Sequence, residues 1–258
     1  MEFGINLAPP VPKRIAIVQS SYIPWKGYFD LIASVDEFVL YDDAQYTRRD
    51  WRNRNRIKTP HGILWLTIPV NVKGRYYQRV RDTMVSEPGW AEKHWRSIRA
   101  SYSRAPYFRT YATALEELFL GTTEQRLSDV NYRFLSRLCG LLGLRTRLTW
   151  SMDYPHDGDA TERLVAMCKA AGATTYLSGP SARSYIEAER FTEAGIALEY
   201  TDYTGYPEYS QLYPPFEHTV SVIDLLVHTG PEAMRFMMRT PQVAQIPGEL
   251  GDRRVMSS

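Results

Sequence analysis

RIAIVQSSYIPWKGYFDLIASVDEFVLYDD, residues 14–43, decides the fold. RIAIVQ (14–19) is a short apolar run ending in Gln19, and it reads as a buried strand. SSYIPWK follows as a loop, because Pro24 biases Ile23 away from helical backbone. GYFDLIASV (27–35) then places Tyr28, Leu31, Ile32 and Val35 at helical spacing. EFVLYDD (37–43) is a second apolar strand, closed by two acids. Strand, loop, helix and strand within about 30 residues is the length that a right-handed βαβ crossover requires.

Working outward, ILWLTIPV (63–70) reads as a third strand and RVRDTMV (79–85) as a fourth. The stretch 88–143 is helical, in three amphipathic segments that end near Gly143. TRLTWS (146–151) returns to strand. Asp159-Ala-Thr-Glu162 is a capping box for a helix that reaches about Ala171 and stops at Gly172. TTYLSG (174–179) and IALEYT (196–201) are further strands, with a short helix at 181–189 between them. Thr229-Gly-Pro-Glu232 opens a last helix by the same capping logic. The expected fold is α/β: a mainly parallel, Rossmann-like sheet with flanking helices and a helical insert around 88–143. Residues 1–13 read as a flexible leader, 14–239 as a single domain and 240–258 as a flexible tail.

Composition narrows the classes. The 258-residue chain is 44% hydrophobic and 23% charged with a formal charge of +2, so no global field points to nucleic acid. Two cysteines, Cys139 and Cys168, make neither a disulfide framework nor a zinc spacing, and both fall on apolar stripes of helices. His61, His94, His156 and His228 are too scattered to hold a metal together. With no signal-peptide pattern and no apolar run of membrane-spanning length, the expected location is the cytoplasm.

Ligands of such sheets sit beyond the carboxyl ends of the strands. Four polar clusters fall there: Gln19 to Tyr22, Asp42 to Tyr46, Ser178 to Arg183, and Tyr200 to Gln211. The second runs into YDDAQYTRRDWRNRNRIKT (41–59), which crowds arginines around Trp51. If this stretch is extended, Arg52, Arg54 and Arg56 share one face, and Asn53 and Asn55 the other. Guanidinium forks suit phosphate or carboxylate, and the amides suit hydroxyl or amide groups. Asp42 and Asp43 are either caps or the carboxylates that orient an acceptor amine. His218 is a general base or a cap. Ser178 and Ser181 flank a loop whose backbone amides can cradle an anion. The candidate site is therefore Asp42, Asp43 and His218 for catalysis. Gln19, Ser21, Tyr28, Gln45, Arg52, Asn53, Arg54, Asn55, Ser178, Ser181, Tyr209 and Gln211 are the candidates for binding.

IAIVQSSYIPWKGYFDLI, VDEFVLYDDAQYTRRDWRNRNRIKT, ERLVAMCKAAGATTYLSG and the closing IALEY…YSQ…SVIDLLVHTGPEAM resemble the WbqC-like family, in order, over roughly residues 14–238. The family is associated with bacterial surface-polysaccharide gene clusters. The resemblance therefore implies tailoring of an amino sugar or a similar amine, by acyl or aminoacyl transfer. The chain departs from the family pattern in two loops. Gln19-Ser-Ser-Tyr-Ile-Pro24-Trp25 stands in place of Gln-Pro-Tyr-Phe-Phe-Pro-Tyr, and Glu217 to Ser221 in place of Pro-Trp-Leu-Ser. The opening also resembles the nucleotidylyltransferase superfamily in its order of elements, without that group's His-x-Gly-His signature.

The leading expectation is a transferase that forms an amide or ester on a small polar acceptor. Its donor would carry phosphate: coenzyme A, an acyl-carrier thioester, an acyl adenylate or a nucleotide sugar. No tightly bound cofactor and no nucleic acid are expected. The partners are a small-molecule substrate and an acyl or peptidyl carrier protein, and the sequence carries no signal for a number of subunits. The alternatives are a non-catalytic binding or scaffold protein and a hydrolase using Cys168.

Overall fold

The computed structural model describes residues 11–237. In chain order the elements are β1 (Arg14–Val18), α1 (Lys26–Ala33), β2 (Glu37–Leu40), β3 (Arg54–Thr59), β4 (Gly62–Thr67), α2 (Trp90–Tyr102), α3 (Phe108–Leu120), α4 (Leu127–Leu141), β5 (Arg147–Trp150), α5 (Ala160–Ala170), β6 (Thr175–Ser178), α6 (Ala188–Glu193), β7 (Ala197–Tyr200), α7 (Val222–Thr229) and α8 (Ala233–Met237). Five strands form one sheet in the order β5-β2-β1-β6-β7, every neighbouring pair parallel. This is an α/β, Rossmann-like fold.

The strands are short and apolar because both faces of the sheet are covered. Ala16, Phe38 and Leu40 face a core shared with Phe29 and Ile32 of α1 and Ile223 and Leu226 of α7. The helical insert contributes Trp95, Phe119 and Phe134 to that same core, so it packs as part of the domain. Ile15, Ile17 and Val39 face the other way, onto Leu164, Met167 and Cys168 of α5 and Phe191 of α6. The Asp159 side chain accepts from the Thr161 and Glu162 amides while Glu162 reaches back, so the expected capping box is formed.

Three expectations are corrected. Residues 63–70 do not join the parallel sheet: β4 pairs antiparallel with β3 in a separate two-stranded hairpin. Residues 79–85 are not a strand. Val80–Asp82 is a single 3-10 turn, and Met84 and Val85 make only isolated bridges, to Arg126 and Val70. Thr229 does not cap the last helix, because its hydroxyl turns back to the Leu225 carbonyl at 2.8 Å.

The expected tail lies wholly outside the described residues, as does the leader up to residue 10. Lys13 is docked: its Nζ stands 2.7 Å from Glu37 Oε2 and its amide donates to Thr174 Oγ1 at 2.9 Å.

Candidate functional site

Strand order reverses between β1 and β6, since the chain moves outward from β1 to β2 and β5 on one side and to β6 and β7 on the other. Such a reversal splits the loops above the sheet and leaves a crevice at the strands' carboxyl ends. A cavity of about 660 Å³ occupies that crevice. The loop after β1 supplies Gln19, Ser21, Pro24 and Trp25, and the segment after β6 supplies Ser178 to Ala182 and Tyr185. The segment before β3 adds Trp51 and Arg52, β3 itself adds Asn55, α1 adds Tyr28, and the far loop adds Tyr203 and Thr219.

The loop after β1 is held from several sides. The Tyr22 amide donates to the Trp51 carbonyl at 3.0 Å, and the Val222 amide to the Pro24 carbonyl at 2.8 Å. Ile23 has a φ of 36°, a left-handed backbone that a β-branched residue avoids, and its side chain is fully buried. Strain of that kind, worth roughly 1 to 3 kcal/mol, persists only where the surroundings over-determine it, and it gathers at ligand-binding loops.

Arg52 organises the floor. Its Nη1 donates to the Gln19 carbonyl at 2.9 Å, the Ser20 carbonyl at 3.2 Å and Ser21 Oγ at 2.9 Å. Its Nε is buried and makes no hydrogen bond, but forms an ion pair with Asp50 Oδ2 at 3.7 Å. Arg52 is the one charged side chain among the described lining residues. Burial raises the Tyr28 phenol well above its ordinary pKa, and the neutral hydroxyl donates to the Gln19 carbonyl at 3.0 Å. The alternation expected for 52–56 is present: Asn53 and Asn55 are buried and the three arginines are half-buried.

Of the residues singled out in the sequence, Gln19, Ser21, Tyr28, Arg52, Asn55, Ser178 and Ser181 come together around the cavity. Others are placed elsewhere. Asp42 is fully buried beneath the β1 loop, with Oδ1 accepting the Ser20 amide at 2.8 Å and Oδ2 accepting the Ser128 hydroxyl. Burial raises its pKa above the ordinary value, against the pull of those donors and of Arg52. Asp43 joins three segments through Arg81 at 2.9 Å, Ser151 Oγ at 2.8 Å and His156 Nε2 at 3.2 Å. Gln45 donates to the Tyr76 carbonyl at 2.8 Å, and Asn53 to the Ile68 carbonyl at 2.7 Å. Arg54 lies over the Trp65 ring.

His218 is one residue from the lining, edge-on to Phe216 at 4.6 Å, with its basicity lowered by burial and then by Lys26. Tyr209 and Gln211 both donate to Asp224 Oδ1, at 2.7 and 2.9 Å, in a buried network with Lys58 and His228. His228 Nε2 accepts the Leu212 amide at 3.0 Å, so its Nδ1 carries the proton and faces Asp224. Cys168 is fully buried in the core between sheet and α5, and burial pushes its thiol up to about 12. No group of three or more His, Cys, Asp or Glu able to hold a metal occurs among the described residues. None of their helices is long and apolar enough to cross a membrane.

The residues that sequence reasoning missed are mostly aromatic: Trp25, Tyr41, Tyr176, Tyr185 and Tyr203. All five lie within a strand or within about seven residues of a strand's carboxyl end, and that adjacency was the available signal. Thr219 is distant in sequence and carried no such signal.

No solved structure gave a significant match. A protein of Mycobacterium tuberculosis (strain ATCC 25618 / H37Rv), described as "Uncharacterized protein Rv1507c", is 50% identical over 225 residues, covering 87% of this chain and 97% of that protein. The model of the WbqC-like protein family matches residues 19–236, a span that includes every residue around the cavity except Ile17 and Val18. The chain belongs to the WbqC-like protein family.

Proposed function

We propose that the chain is a transferase that joins an acyl or aminoacyl group to an amine or hydroxyl of a small polar acceptor, such as an amino sugar, from a phosphate-bearing donor bound in this cavity. Family membership suggests a role related to polysaccharide biosynthesis. The observation that carries the reading is a switch-point cavity whose one charged lining side chain is the Arg52 guanidinium, held in place by the β1 loop. A guanidinium in that state favours an anionic oxygen over an amine. Aromatic walls suit the rest of the donor, and the hydroxyls of Ser21, Ser178 and Ser181 suit polar groups near the reacting centre.

With a thioester donor, the acceptor amine attacks the carbonyl carbon. A C–N bond forms, the C–S bond breaks, and the departing thiolate takes the proton that the amine loses. Orientation of two bound reactants can supply about 7 to 11 kcal/mol of barrier lowering, so this chemistry does not demand a protein nucleophile.

One observation favours a second reading, a binding protein that escorts a glycan intermediate. Among the described residues lining the cavity there is no carboxylate, imidazole or thiol. The two readings separate in one assay: mass spectrometry of a hexosamine incubated with the protein and an acyl-coenzyme A, an acyl-carrier thioester or a nucleotide sugar. The transferase reading expects an acylated product with stoichiometric free thiol from one of the thioesters. A ligand retained in the cavity and never altered with any of the three supports the escort and contradicts the transferase.

A further inference from the structure

The β3–β4 hairpin and the loop beside it carry one continuous exposed surface that begins at the cavity's edge. Trp51 belongs to both: it lines the cavity and packs on Trp65 with ring centroids 5.4 Å apart. The Arg56 guanidinium lies 5.5 Å from both indoles, and that of Arg54 lies 4.2 Å over Trp65. Arg54 also donates to the carbonyl of Arg49, a residue in left-handed backbone at a φ of 58°. Arg48 continues the surface, 5.3 Å from the Tyr76 ring and bonded to the Val72 carbonyl at 2.7 Å. Ile63 and Trp65 are exposed on the same face of β4, and Tyr76 is 68% exposed. Against the effect of burial, the Asp50 carboxyl is held below its ordinary value partly by Arg52 and Arg54, and it is the acid beside this surface.

Exposed indoles with guanidiniums laid on them, next to a bare aliphatic side chain, have the composition of protein-interface anchors: tryptophan, tyrosine and arginine enriched, lysine scarce. A surface with Arg48, Arg49 and Arg54 around the single carboxylate of Asp50 carries an excess of positive charge, which calls for acidic side chains opposite. We propose that this surface docks an acidic carrier protein, which presents the acyl donor to the cavity past Trp51 on a flexible arm. The proposal rests on the transferase reading for what the arm carries, and on the hairpin surface for the docking. A single-stranded nucleic acid, which also stacks on aromatics, would prefer a longer cationic track than a chain of net charge +2 is expected to offer.

The test is equilibrium binding of a purified holo acyl carrier protein, with its apo form, coenzyme A and a short poly-uridine RNA as companion probes. The proteins compared are the wild type, an Arg48→Glu/Arg54→Glu double variant and Trp65→Ala, each checked for an unchanged melting temperature. Carrier binding should fall at least about tenfold in both variants and weaken with salt, since the contact combines charge and an aromatic anchor. Coenzyme A should bind the wild type and the Arg48→Glu/Arg54→Glu variant alike, because neither arginine lines the cavity. The proposal is overturned if the carrier does not bind the wild type, if it binds the variants equally well, or if RNA binds more tightly and is the probe the variants lose. Coenzyme A binding without carrier binding would sink the docking surface and leave the cavity reading standing. Carrier binding that never leads to acyl transfer would do the opposite.

Discussion

Replacing Asp42 separates a structural carboxylate from a catalytic one. Asp42→Ala leaves the buried Ser20 amide and the Ser128 hydroxyl without their acceptor. A buried donor left unsatisfied costs roughly 1 to 3 kcal/mol, and the serine can partly relax, so the total is about 3 kcal/mol. For a chain of this length each kcal/mol moves the melting temperature by about 2 to 4 °C, which gives a fall of roughly 6 to 12 °C. Asp42→Asn should behave differently. The amide oxygen still accepts the Ser20 amide, and the amide nitrogen can donate to Ser128 Oγ once that hydroxyl rotates.

The pH dependence has a definite sign. Burial raises the folded-state pKa of Asp42 above the ordinary 3.8, so the native state holds this proton more tightly than the unfolded chain. Its contribution to stability is complete below 3.8 and is lost as pH rises through the raised value. Asp42→Asn lacks that loss and should therefore gain on the wild type as pH climbs from acid to neutral. Calorimetric melting of the three proteins across that range is the assay. If Asn destabilises as much as Ala at neutral pH, the hydrogen-bond exchange at Ser128 is wrongly drawn. If Asn leaves melting and ligand binding intact but abolishes turnover, Asp42 takes part in the reaction.

Other outcomes follow from single groups. Cys139→Ala and Cys168→Ala should leave ligand binding intact, and iodoacetamide should label the native protein slowly, because burial pushes both thiols up to about 12. Burial lowers the Lys26 amine to about 8, so the wild type should gain stability as pH rises from about 8 toward the ordinary 10.5; Lys26→Met should lose that rise in a melting series. A Cβ at Gly27 would overlap the Trp25 indole, so Gly27→Ala should displace Trp25 and weaken ligand binding in a titration, despite the helix propensity that alanine adds.

The parallel half of the fold was legible because its local signals agree. The β1–α1–β2 stretch alternates apolar run, proline-marked loop and helical period, and the Asp159 box marks where α5 starts. The hairpin was harder to place. An apolar run such as 63–70 looks the same whether it enters the main sheet or pairs with its neighbour, and the choice depends on partners that periodicity does not reveal. Strand-end loops pointed to the cavity, yet polarity alone could not say which polar residues face it. Asp42, Asn53 and Tyr209 satisfy buried hydrogen bonds behind the cavity walls, while tyrosines that were not among the candidates form those walls. Arg52 is both: it wires the β1 loop and lines the cavity.

The central claim is that the cavity where the strand order reverses binds a phosphate-bearing donor. Isothermal titration of coenzyme A, an acyl-carrier thioester and a nucleotide sugar into the wild type, Arg52→Met and Ser181→Trp tests it most directly. Ser181 is an exposed residue of the lining, so a tryptophan there can fill the cavity without entering the core. The account predicts that at least one donor binds the wild type. That binding should fall about tenfold or more in Arg52→Met, in line with roughly 1.5 to 3 kcal/mol for a charge-assisted hydrogen bond. Ser181→Trp should abolish it while leaving the melting temperature unchanged. Equal binding to all three proteins, or no binding to the wild type by any of the donors, would contradict it.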